Sequence, residues 1–562
     1  RGAMSEGGGH PPSPRLRRTR RTEDGRRRGR GFNIQFQYPI SKWGLWGGKG
    51  GGYSAGMKRA RRKTGPEIVP DRSLRVLFVA SECAPYAKCG GLGDVVASLP
   101  KALRKLGVDA RVAIPLYGSV DRAKHGLTEE PPCLVNCGGG EVNGCGVWSA
   151  TADGDVPVWF IEHGRFFDRG GIYDEDGVEF GDNAFRFGLL CMASAQLCRD
   201  RQWMPDVVHV HDWPTAVVPA LLDAWRKAGA PLGWAGSVLT IHNMAYQGYS
   251  HPSALDYLGL GPEYYTPERL EAWGKINLLK GGIVLADAVT TVSPTYAKEI
   301  LGEPGGNGLS AYLQGRGRDF EGILNGADYD VWNPETDRWI PANFRADSLI
   351  GKGLCKQELQ SQLGLASDAG VPLFGVVSRL TWQKGTGLMR EVLPQALAGS
   401  RMQLAVLGAG EAADEAFFRG LAQAFPGRVG VEIGYSNELA HRIQAGADFF
   451  LMPSLFEPCG LTQMYSLRYA ALPVVHATGG LEDTVEQYNP GEGTGTGFKF
   501  YTPDAPAFLE AVRWALDTWE SRPSHVTLMR ERAMTVRFDW EASAKRYLDL
   551  YRRVALKRAG GA

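Results

Sequence analysis

The stretch Ser454-Leu-Phe-Glu-Pro-Cys-Gly-Leu-Thr-Gln-Met-Tyr-Ser466 decides the fold of this 562-residue chain. It follows an apolar run, Asp448-Phe-Phe-Leu-Met-Pro453, that is typical of a buried strand, and it precedes a run that can continue as a helix. Glu457 is therefore predicted at the carboxyl end of a strand, and residues 460 to 463 at the start of a helix. Ligands bind at that edge of a parallel α/β sheet, where backbone N–H groups favour anions and a carboxylate can hold hydroxyl groups.

A second stretch, Lys88-Cys-Gly-Gly-Leu-Gly-Asp94, repeats this arrangement. The apolar run Arg75-Val-Leu-Phe-Val-Ala80 precedes it, and apolar residues at helical spacing follow it from residue 95 to residue 106. A strand, a glycine-rich turn that carries a lysine, and a helix are therefore predicted. Two such sites in one chain indicate a substrate that is gripped from both sides.

Short apolar runs alternate with helical segments along the chain, which predicts an α/β fold with two doubly wound sheets. The first series of predicted strands comprises residues 75–80, 110–114, 156–161, 207–210, 237–241 and 288–292. The second series comprises residues 373–378, 403–407, 429–433, 449–452 and 473–476. We therefore expect two Rossmann-like domains that face each other across a deep cleft.

This pattern divides the chain into four predicted parts. They are a basic disordered extension (1–70), an N-terminal Rossmann-like domain (71–343), a C-terminal Rossmann-like domain (344–535) and a C-terminal helix that packs back on the body (536–562). The helix is predicted from four residues that share one helical face, namely Ala544, Tyr547, Leu548 and Tyr551.

The formal net charge of +2 conceals an asymmetry between the extension and the body. Residues 1 to 65 carry 17 Lys/Arg and 3 Asp/Glu, so residues 66 to 562 carry 46 Lys/Arg and 58 Asp/Glu. An acidic body argues against a nucleic-acid enzyme, whose basic surface should belong to the folded part. No apolar run approaches the roughly 18 residues of a membrane span, so no span is expected.

The extension is rich in Arg, Gly and Pro and has no sustained hydrophobic period, which is typical of a disordered segment. Three functions of the extension stay open: a solvated tail, a targeting segment, or the binding of a partner or a glucan by the aromatic stretch 32–46. A cytoplasmic protein is expected, or a plastid protein if the extension is a targeting segment.

Nine cysteines in a chain of this length do not indicate a disulfide framework, so a reduced, intracellular protein is expected. Cys133, Cys137 and Cys145 lie close together in a glycine-rich segment. Their spacing lacks a paired Cys-x-x-Cys signature and fitting histidines, and no metal site is predicted there.

Two cations, Arg379 and Lys384, follow the predicted strand 373–378. Preplaced cations at this edge would stabilise the negative charge of a departing nucleoside diphosphate without reorganisation. Taken alone, Arg-x4-Lys is a weak signal and is more typical of exposed surface cations.

Two stretches with histidine, His211-Asp-Trp213 and Ile241-His-Asn243, also follow predicted strands. Each histidine can equally belong to the core or the surface, but their common position at strand ends favours a site. We expect His209 and His211 to point to opposite faces of their strand, and therefore not to chelate one metal.

Seven motifs occur in order between about Arg75 and Tyr551. They are Lys88-x-Gly-Gly-Leu-x-Asp-Val95, His211-Asp-Trp213, Ile241-His-Asn243, Gly322-Ile-Leu-Asn-Gly-x-Asp328 with Val331-Trp-Asn-Pro334, Ser378-Arg-Leu-x-x-Gln-Lys-Gly385, Glu457-Pro-Cys-Gly-Leu-Thr-Gln463 and Thr478-Gly-Gly-Leu-x-Asp-Thr484. Together they resemble the bacterial glycogen synthase and plant starch synthase family.

The resemblance implies a GT-B architecture and the transfer of glucose from ADP-glucose to the non-reducing 4-hydroxyl of an α-1,4-glucan, with retention at the anomeric carbon. The implied partners are ADP-glucose, ADP and an α-1,4-glucan such as glycogen or starch, and no metal cofactor is implied. Two alternatives stay open: a non-catalytic glucan-binding or initiation protein, and another nucleotide-sugar glycosyltransferase of the same architecture.

The resemblance also implies a role for individual residues. Its catalytic residues match Lys88, His242, Arg379, Lys384 and Glu457. Its donor-binding residues match Gly91, Tyr435, Cys459, Gly460, Leu461 and Thr462. Its sugar and acceptor residues match Asp94, Tyr173, Asp212, Trp213 and Asn325.

Overall fold

The computed structural model describes residues 73–175 and 177–560 of the chain. The predicted basic extension, residues 1 to 70, and the question of a targeting segment therefore lie outside the described residues. In the described part, two large sheets are present, as the sequence predicted.

The strands fall into two series along the chain. The first comprises β1 (Arg75–Val79), β2 (Asp109–Pro115), β3 (Thr128–Asn136), β4 (Val142–Ala152), β5 (Val156–Glu162), β6 (Asp174–Glu175), β7 (Val178–Glu179), β8 (Val207–His211), β9 (Gly236–Ile241), β10 (Tyr249–Ser250), β11 (Glu271–Ala272), β12 (Lys275–Asn277), β13 (Ala288–Thr291) and β14 (Phe320–Gly322). The second comprises β15 (Leu373–Val377), β16 (Gln403–Gly408), β17 (Val429–Ile433), β18 (Phe449–Met452), β19 (Leu472–His476) and β20 (Phe498–Phe500).

The helices alternate with these strands. Those up to residue 314 are α1 (Gly91–Lys105), α2 (Gly164–Phe167), α3 (Asn183–Asp200), α4 (Asp212–Thr215), α5 (Val218–Lys227), α6 (Ser253–Tyr257), α7 (Leu278–Leu285), α8 (Pro294–Glu299) and α9 (Ser310–Gln314). Those that follow are α10 (Ile350–Gln362), α11 (Thr386–Gly399), α12 (Ala412–Ala424), α13 (Asn437–Gly446), α14 (Thr462–Arg468), α15 (Gly479–Thr484), α16 (Ala505–Ser521), α17 (Pro523–Thr535) and α18 (Trp540–Ala559).

The N-terminal strands form a nine-stranded sheet in the order β14-β13-β9-β8-β1-β2-β5-β4-β3. From β14 to β5 all neighbours run parallel. The parallel strands are short and buried, as expected of a sheet that is covered on both faces. The chain continues from β1 to β2 on one side and returns to β8 on the other, so the carboxyl ends of β1 and β8 form the switch point where ligands bind.

Two long antiparallel strands, β3 and β4, extend this sheet beyond the predicted parallel core. The sequence pattern concealed them, because β3 contains Pro131 and Pro132 and carries a bulge between Glu130 and Cys133. Proline has no N–H to donate to a ladder, and it is tolerated on a sheet edge or at a bulge. β3 occupies such an edge.

The second sheet has six strands in the order β17-β16-β15-β18-β19-β20, all parallel. The predicted apolar strand before Glu457 is β18, and all four of its residues are buried. It pairs with β15, and the Phe374 and Phe449 rings of the two strands stack with centroids 4.9 Å apart. The switch point of this sheet lies between β15 and β18.

The C-terminal helix α18 packs against the first sheet rather than the second. Tyr547 and Tyr551 are fully buried, and the Tyr551 hydroxyl lies 2.7 Å from Nδ1 of His209 on β8. The chain therefore returns to its N-terminal half at its end, while the domain boundaries near residues 343 and 535 stay predictions. No helix in the described ranges is long and apolar enough to cross a membrane.

Candidate active site

A cavity of about 470 Å³ lies between the carboxyl ends of the two sheets. Segments that follow β1, β8 and β9 form one wall, and segments that follow β15 and β18 form the other. Every residue to which the resemblance assigns a role lines it, namely Lys88, Gly91, Asp94, Tyr173, Asp212, Trp213, His242, Asn325, Arg379, Lys384, Tyr435, Glu457, Cys459, Gly460, Leu461 and Thr462. The structure therefore brings the whole set together, while the role of each residue stays a prediction.

The loop after β1 is held by a buried carboxylate that the sequence analysis missed. Oε2 of Glu82 accepts the N–H groups of Cys89 at 2.7 Å and Gly90 at 3.0 Å, and Oε1 accepts the Tyr173 hydroxyl at 2.6 Å. Glu82 is only 3% exposed, so these hydrogen bonds replace the water that the carboxylate has lost. They fix the loop that carries Lys88.

Lys88 itself is paired but accessible. Its Nζ lies 2.7 Å from Oδ1 of Asp94, and its side chain is 37% exposed. Burial raises the pKa of the Asp94 carboxyl, and the charge and hydrogen bond of Lys88 oppose that shift. The exposed end of Lys88 can therefore reach a more strongly charged ligand in the cavity, and Asp94 holds it in place until then.

Three histidines form a buried row from β8 into the cavity. Nε2 of His242 lies 3.0 Å from Nδ1 of His211, and the ring centroids of His209 and His211 are 4.3 Å apart. The expectation that His209 and His211 point to opposite faces was wrong, because residues two apart on a strand share a face. Burial lowers the pKa of His242 to about 3 and the pKa values of the other two well below their usual range. All three rings are neutral near pH 7.

Asp212 fixes the backbone that carries His242. Its Oδ1 accepts the N–H of His242 at 2.6 Å and that of Asn243 at 3.4 Å. Its φ of +54° lies in the left-handed region, where Asp and Asn are the most frequent residues other than glycine. Burial raises the pKa of Asp212 to about 7. A strained backbone and a desolvated carboxylate are typical of functional sites.

Tyr173 and Trp213 form an aromatic corner of the N-terminal wall. Their ring centroids are 6.0 Å apart, and Trp213 is 8% exposed. Gly248 passes so close that an added Cβ would lie 2.6 Å from the Trp213 ring. The ring is therefore held by backbone as well as by side chains.

The C-terminal wall is built around a carboxylate and lysine pair. Nζ of Lys384 lies 2.6 Å from Oε2 of Glu457, and the Ser454 hydroxyl donates to the same oxygen at 3.0 Å. The two charged side chains are 19% and 7% exposed. Gly385 allows this pairing, because a Cβ there would lie 2.0 Å from the carbonyl oxygen of Pro453, between the loops that follow β15 and β18.

Arg379 and Tyr435 are the exposed members of the C-terminal wall. Arg379 acts across the cavity, since its charge lowers the pKa of the Cys89 thiol on the opposite loop, although burial and Glu82 raise that pKa overall. The Tyr435 side chain is 82% exposed. Both side chains are free to meet a ligand without first leaving a buried environment.

The loop that precedes α14 is shaped by an amide side chain. Nε2 of Gln463 donates to the carbonyl oxygens of Cys459 at 3.0 Å and Gly460 at 2.9 Å. Gly460 has a φ of +68°, and a Cβ at that position would lie 2.4 Å from Oε1 of Gln463. The helix then begins at Thr462, as the sequence predicted.

The two walls touch beside this loop. An added Cβ on Gly91 would lie 3.6 Å from Cδ1 of Leu461, and the Ser293 hydroxyl donates to the Pro458 carbonyl oxygen at 2.6 Å. Asn325 lies at the same junction, is 4% exposed, and its Oδ1 has no hydrogen-bond partner in the described ranges. A buried amide oxygen without a partner is costly, and a ligand hydroxyl would satisfy it.

The sequence analysis also missed a stack of rings at the junction of the two halves. The Trp332 ring lies between the rings of His441, at 3.8 Å, and Tyr465, at 4.2 Å, and both are tilted by only 6° from it. Trp332 and Tyr465 line the cavity. The motif Val331-Trp-Asn-Pro334 contained Trp332, but partners more than 100 residues away in sequence cannot be read from it.

Two α/β domains with parallel sheets, facing each other across a cavity at the carboxyl ends of their strands, form a GT-B architecture. The solved structure of sucrose-phosphate synthase from Thermosynechococcus elongatus has the same fold, with a TM-score of 0.54 and 17% identity over 85% of this chain and 98% of that one. A family model for the starch synthase catalytic domain matches residues 75–315, and one for glycosyl transferases group 1 matches residues 360–527.

More similar proteins narrow this class to a family. Glycogen synthase 1 of Geobacter metallireducens is 46% identical over 491 residues, which are 87% of this chain and 98% of that protein. The catalytic domain of starch synthase IV from Arabidopsis thaliana, solved with ADP and acarbose, has a TM-score of 0.80 and 36% identity over 86% of this chain and 100% of that one. The chain belongs to the bacterial glycogen synthase and plant starch synthase family, and it is a glucosyltransferase.

Proposed function

We propose that the chain transfers glucose from ADP-glucose to the non-reducing 4-hydroxyl of an α-1,4-glucan, with retention at the anomeric carbon. The observation that carries this proposal is the pair of Lys384 and Glu457, 2.6 Å apart, in the same cavity as Lys88. The Arabidopsis relative supports it as well, since that structure contains ADP and acarbose.

The C-terminal wall would hold the donor. Arg379 and Lys384 neutralise the diphosphate, and Glu457 holds the donor glucose while it keeps Lys384 in place. A cation that is already fixed by a hydrogen bond stabilises a leaving diphosphate without reorganisation in the transition state. Tyr435 stacks on the adenine ring. No metal cofactor takes part in the proposed reaction, because the lysine and arginine charges act on the diphosphate instead.

The N-terminal wall would position the reacting glucose and the acceptor. His242 lies beside the glucose as a neutral hydrogen-bonding ring, which its lowered pKa supports. Asp212 holds the backbone of His242, and Tyr173 and Trp213 contact the acceptor sugar. Asn325 and Asp94 contact sugar hydroxyls where the two walls meet.

Retention would follow from attack on the face that the diphosphate leaves. The bond from the anomeric carbon to the diphosphate oxygen breaks, the acceptor 4-oxygen bonds to the same face, and the departing diphosphate takes the hydroxyl proton. Closure of the cavity brings Lys88 onto the diphosphate and excludes water that would otherwise hydrolyse the donor.

Transfer of labelled glucose onto glycogen by the full chain tests this proposal, with ADP-glucose and UDP-glucose as separate donors. We expect strong transfer from ADP-glucose and an α-linked product by NMR. Preference for UDP-glucose would overturn the donor assignment. A chain that binds glycogen but transfers glucose from neither donor would instead be a glucan-binding or initiation protein of the same fold.

A further inference from the structure

The outer hairpin of the first sheet places two buried cysteines directly opposite each other. Cys133 on β3 is in register with Cys145 on β4, and each is 1% exposed. Directly opposed residues on antiparallel strands have Cα atoms about 4.5 to 5.5 Å apart, which lies within the span of about 4.4 to 6.8 Å that a disulfide bridges. We propose that Cys133 and Cys145 form a reversible disulfide, and that this hairpin is an oxidation site for hydrogen peroxide outside the catalytic cavity.

The two thiols already interact in the reduced state, and they are not equivalent. The interaction between the two side chains lowers the pKa of Cys133 and raises that of Cys145. Since the thiolate is the nucleophile, Cys133 reacts first and Cys145 resolves the product. Cys137 is nearby, but its sulfur accepts from Nδ2 of Asn143 at 3.3 Å. Cys137 also lies after the end of β3, so it has no directly opposed residue on β4.

The reaction needs one molecule of hydrogen peroxide. The Cys133 thiolate attacks a peroxide oxygen, the O–O bond breaks, and the hydroxide that leaves takes up a proton, so that Cys133 becomes a sulfenic acid and one water is released. The Cys145 sulfur then attacks the Cys133 sulfur, the S–O bond breaks, and the departing hydroxide takes the Cys145 proton. Two thiols and one peroxide thus give one disulfide and two waters.

The edge position of β3 supplies a route for peroxide to these buried sulfurs. Pro131 and Pro132 immediately precede Cys133 and donate no hydrogen bonds to β4, so the ladder is interrupted at the bulge beside the thiol. Arg201, the residue after the end of α3, covers this point, since its Nη2 donates to the Pro131 carbonyl oxygen at 2.8 Å and lies 3.6 Å from Oε2 of Glu130. Local opening of such an edge requires less free energy than global unfolding.

The disulfide would act on stability rather than directly on the transfer reaction. Neither cysteine lines the catalytic cavity. The bond would close the loop from residue 133 to residue 145 and tie the edge strand to the strand that joins it to the sheet. A cross-link of that loop size restricts the unfolded chain, so we expect the melting temperature of the protein to rise by about 3 °C.

Peptide mapping of the full chain tests the proposal. The native protein is treated with hydrogen peroxide, free thiols are alkylated, and the protein is cleaved after Glu141, which separates Cys145 from Cys133 and Cys137. Fragmentation of the peptide in the mass spectrometer then shows which of Cys133 and Cys137 carries the alkyl group. We expect a cross-linked peptide pair that dithiothreitol releases, a melting temperature raised by about 3 °C that returns on reduction, and neither change in Cys145→Ser. Arg201→Ala should form the bond several-fold faster.

Cys191 and Cys198 on α3 are the matched control, since they are equally buried but have no opposed cysteine. Both should stay free for alkylation once the protein is unfolded. Three results would overturn the proposal: Cys133 and Cys145 remain free at peroxide levels that oxidise the exposed Cys89, Cys137 replaces Cys133 in the cross-link, or the bond forms only in denaturant. The mapping of the wild-type chain decides these outcomes even if a serine variant fails to fold.

Discussion

The two walls of the cavity carry different charges. The N-terminal wall buries the carboxyl groups of Glu82 and Asp212 beside the neutral ring of His242. The C-terminal wall presents Arg379 and Lys384. The division is not complete, because the N-terminal wall also carries Lys88 and the C-terminal wall also carries Glu457. The difference teaches that the C-terminal wall holds two cations in place for a diphosphate, whereas the N-terminal wall adds buried acceptors and a neutral ring.

Lys384→Ala should lower the rate of glucose transfer more than any other substitution considered below. Loss of one preorganised charge is expected to lower kcat by roughly 10² to 10³, because the diphosphate then leaves with less stabilisation. Steady-state transfer to glycogen measures the change. The matched control is Lys101→Ala, which removes a lysine paired to Asp330 at 2.9 Å and 15% exposed, away from the cavity. If Lys384→Ala lowered kcat by less than fivefold, the proposed role of Lys384 would be wrong.

Asp212→Asn tests whether the N-terminal wall needs a charge to hold His242. Asn keeps an acceptor for the two N–H groups and tolerates the left-handed φ, but a neutral hydrogen bond is about half as strong as a charged one. We expect a loss of about tenfold in kcat/KM at pH 8. An unchanged rate would show that the carboxylate charge does not contribute.

The same variant should be more stable than the wild type at high pH. The pKa of Asp212 is about 7 in the folded protein, and it is about 3.9 in an unfolded chain. Between these values the folded state holds a proton that the unfolded state lacks, so wild-type stability falls as pH rises from about 4 to 7. The advantage of Asp212→Asn should therefore grow over that window. Urea unfolding at pH 5 and pH 8 measures it, and an equal advantage at both would contradict the prediction.

Glu82→Gln tests whether the loop that carries Lys88 in the N-terminal wall depends on a buried carboxylate. The Glu82 carboxylate accepts hydrogen bonds at both oxygens, from the loop N–H groups at one and from the Tyr173 hydroxyl at the other. The glutamine amide has only one oxygen, so its N–H₂ group would face one of these two sets of donors. We expect kcat/KM to fall by about fivefold to tenfold, as for the loss of one hydrogen bond that contributes about 1 to 1.4 kcal/mol. Equal rates for Glu82→Gln and the wild type would mean that the loop does not depend on this anchor.

Tyr435→Ala should have the smallest effect. Stacking on an exposed ring contributes about 0.5 to 1.5 kcal/mol, so the KM for ADP-glucose should rise about twofold to tenfold while kcat stays nearly constant. Trp273→Ala is the control, because Trp273 is 92% exposed and lies outside the cavity. A fall in kcat with unchanged KM would place Tyr435 in the chemical step.

Much of the fold could be predicted from the sequence, because parallel strands are short apolar runs with local boundaries. The strand predicted at residues 449–452 is β18, and that predicted at 429–433 is β17. The antiparallel pair β3 and β4 could not be predicted in the same way. Pro131, Pro132 and the bulge break the alternation of apolar and polar residues that marks an edge strand.

The sequence by itself determined the two loops that follow β1 and β18, since a strand, a glycine turn and a helix start are each encoded within about 15 residues. The resemblance that the motifs carry also identified a set of residues that line the cavity. Only the tertiary structure decided that Glu82 anchors the Lys88 loop, that Trp332 stacks on His441, and that Cys133 faces Cys145. Those contacts depend on sheet order, register and the closure of two walls, which are set by packing between segments that are distant in sequence and leave no local pattern.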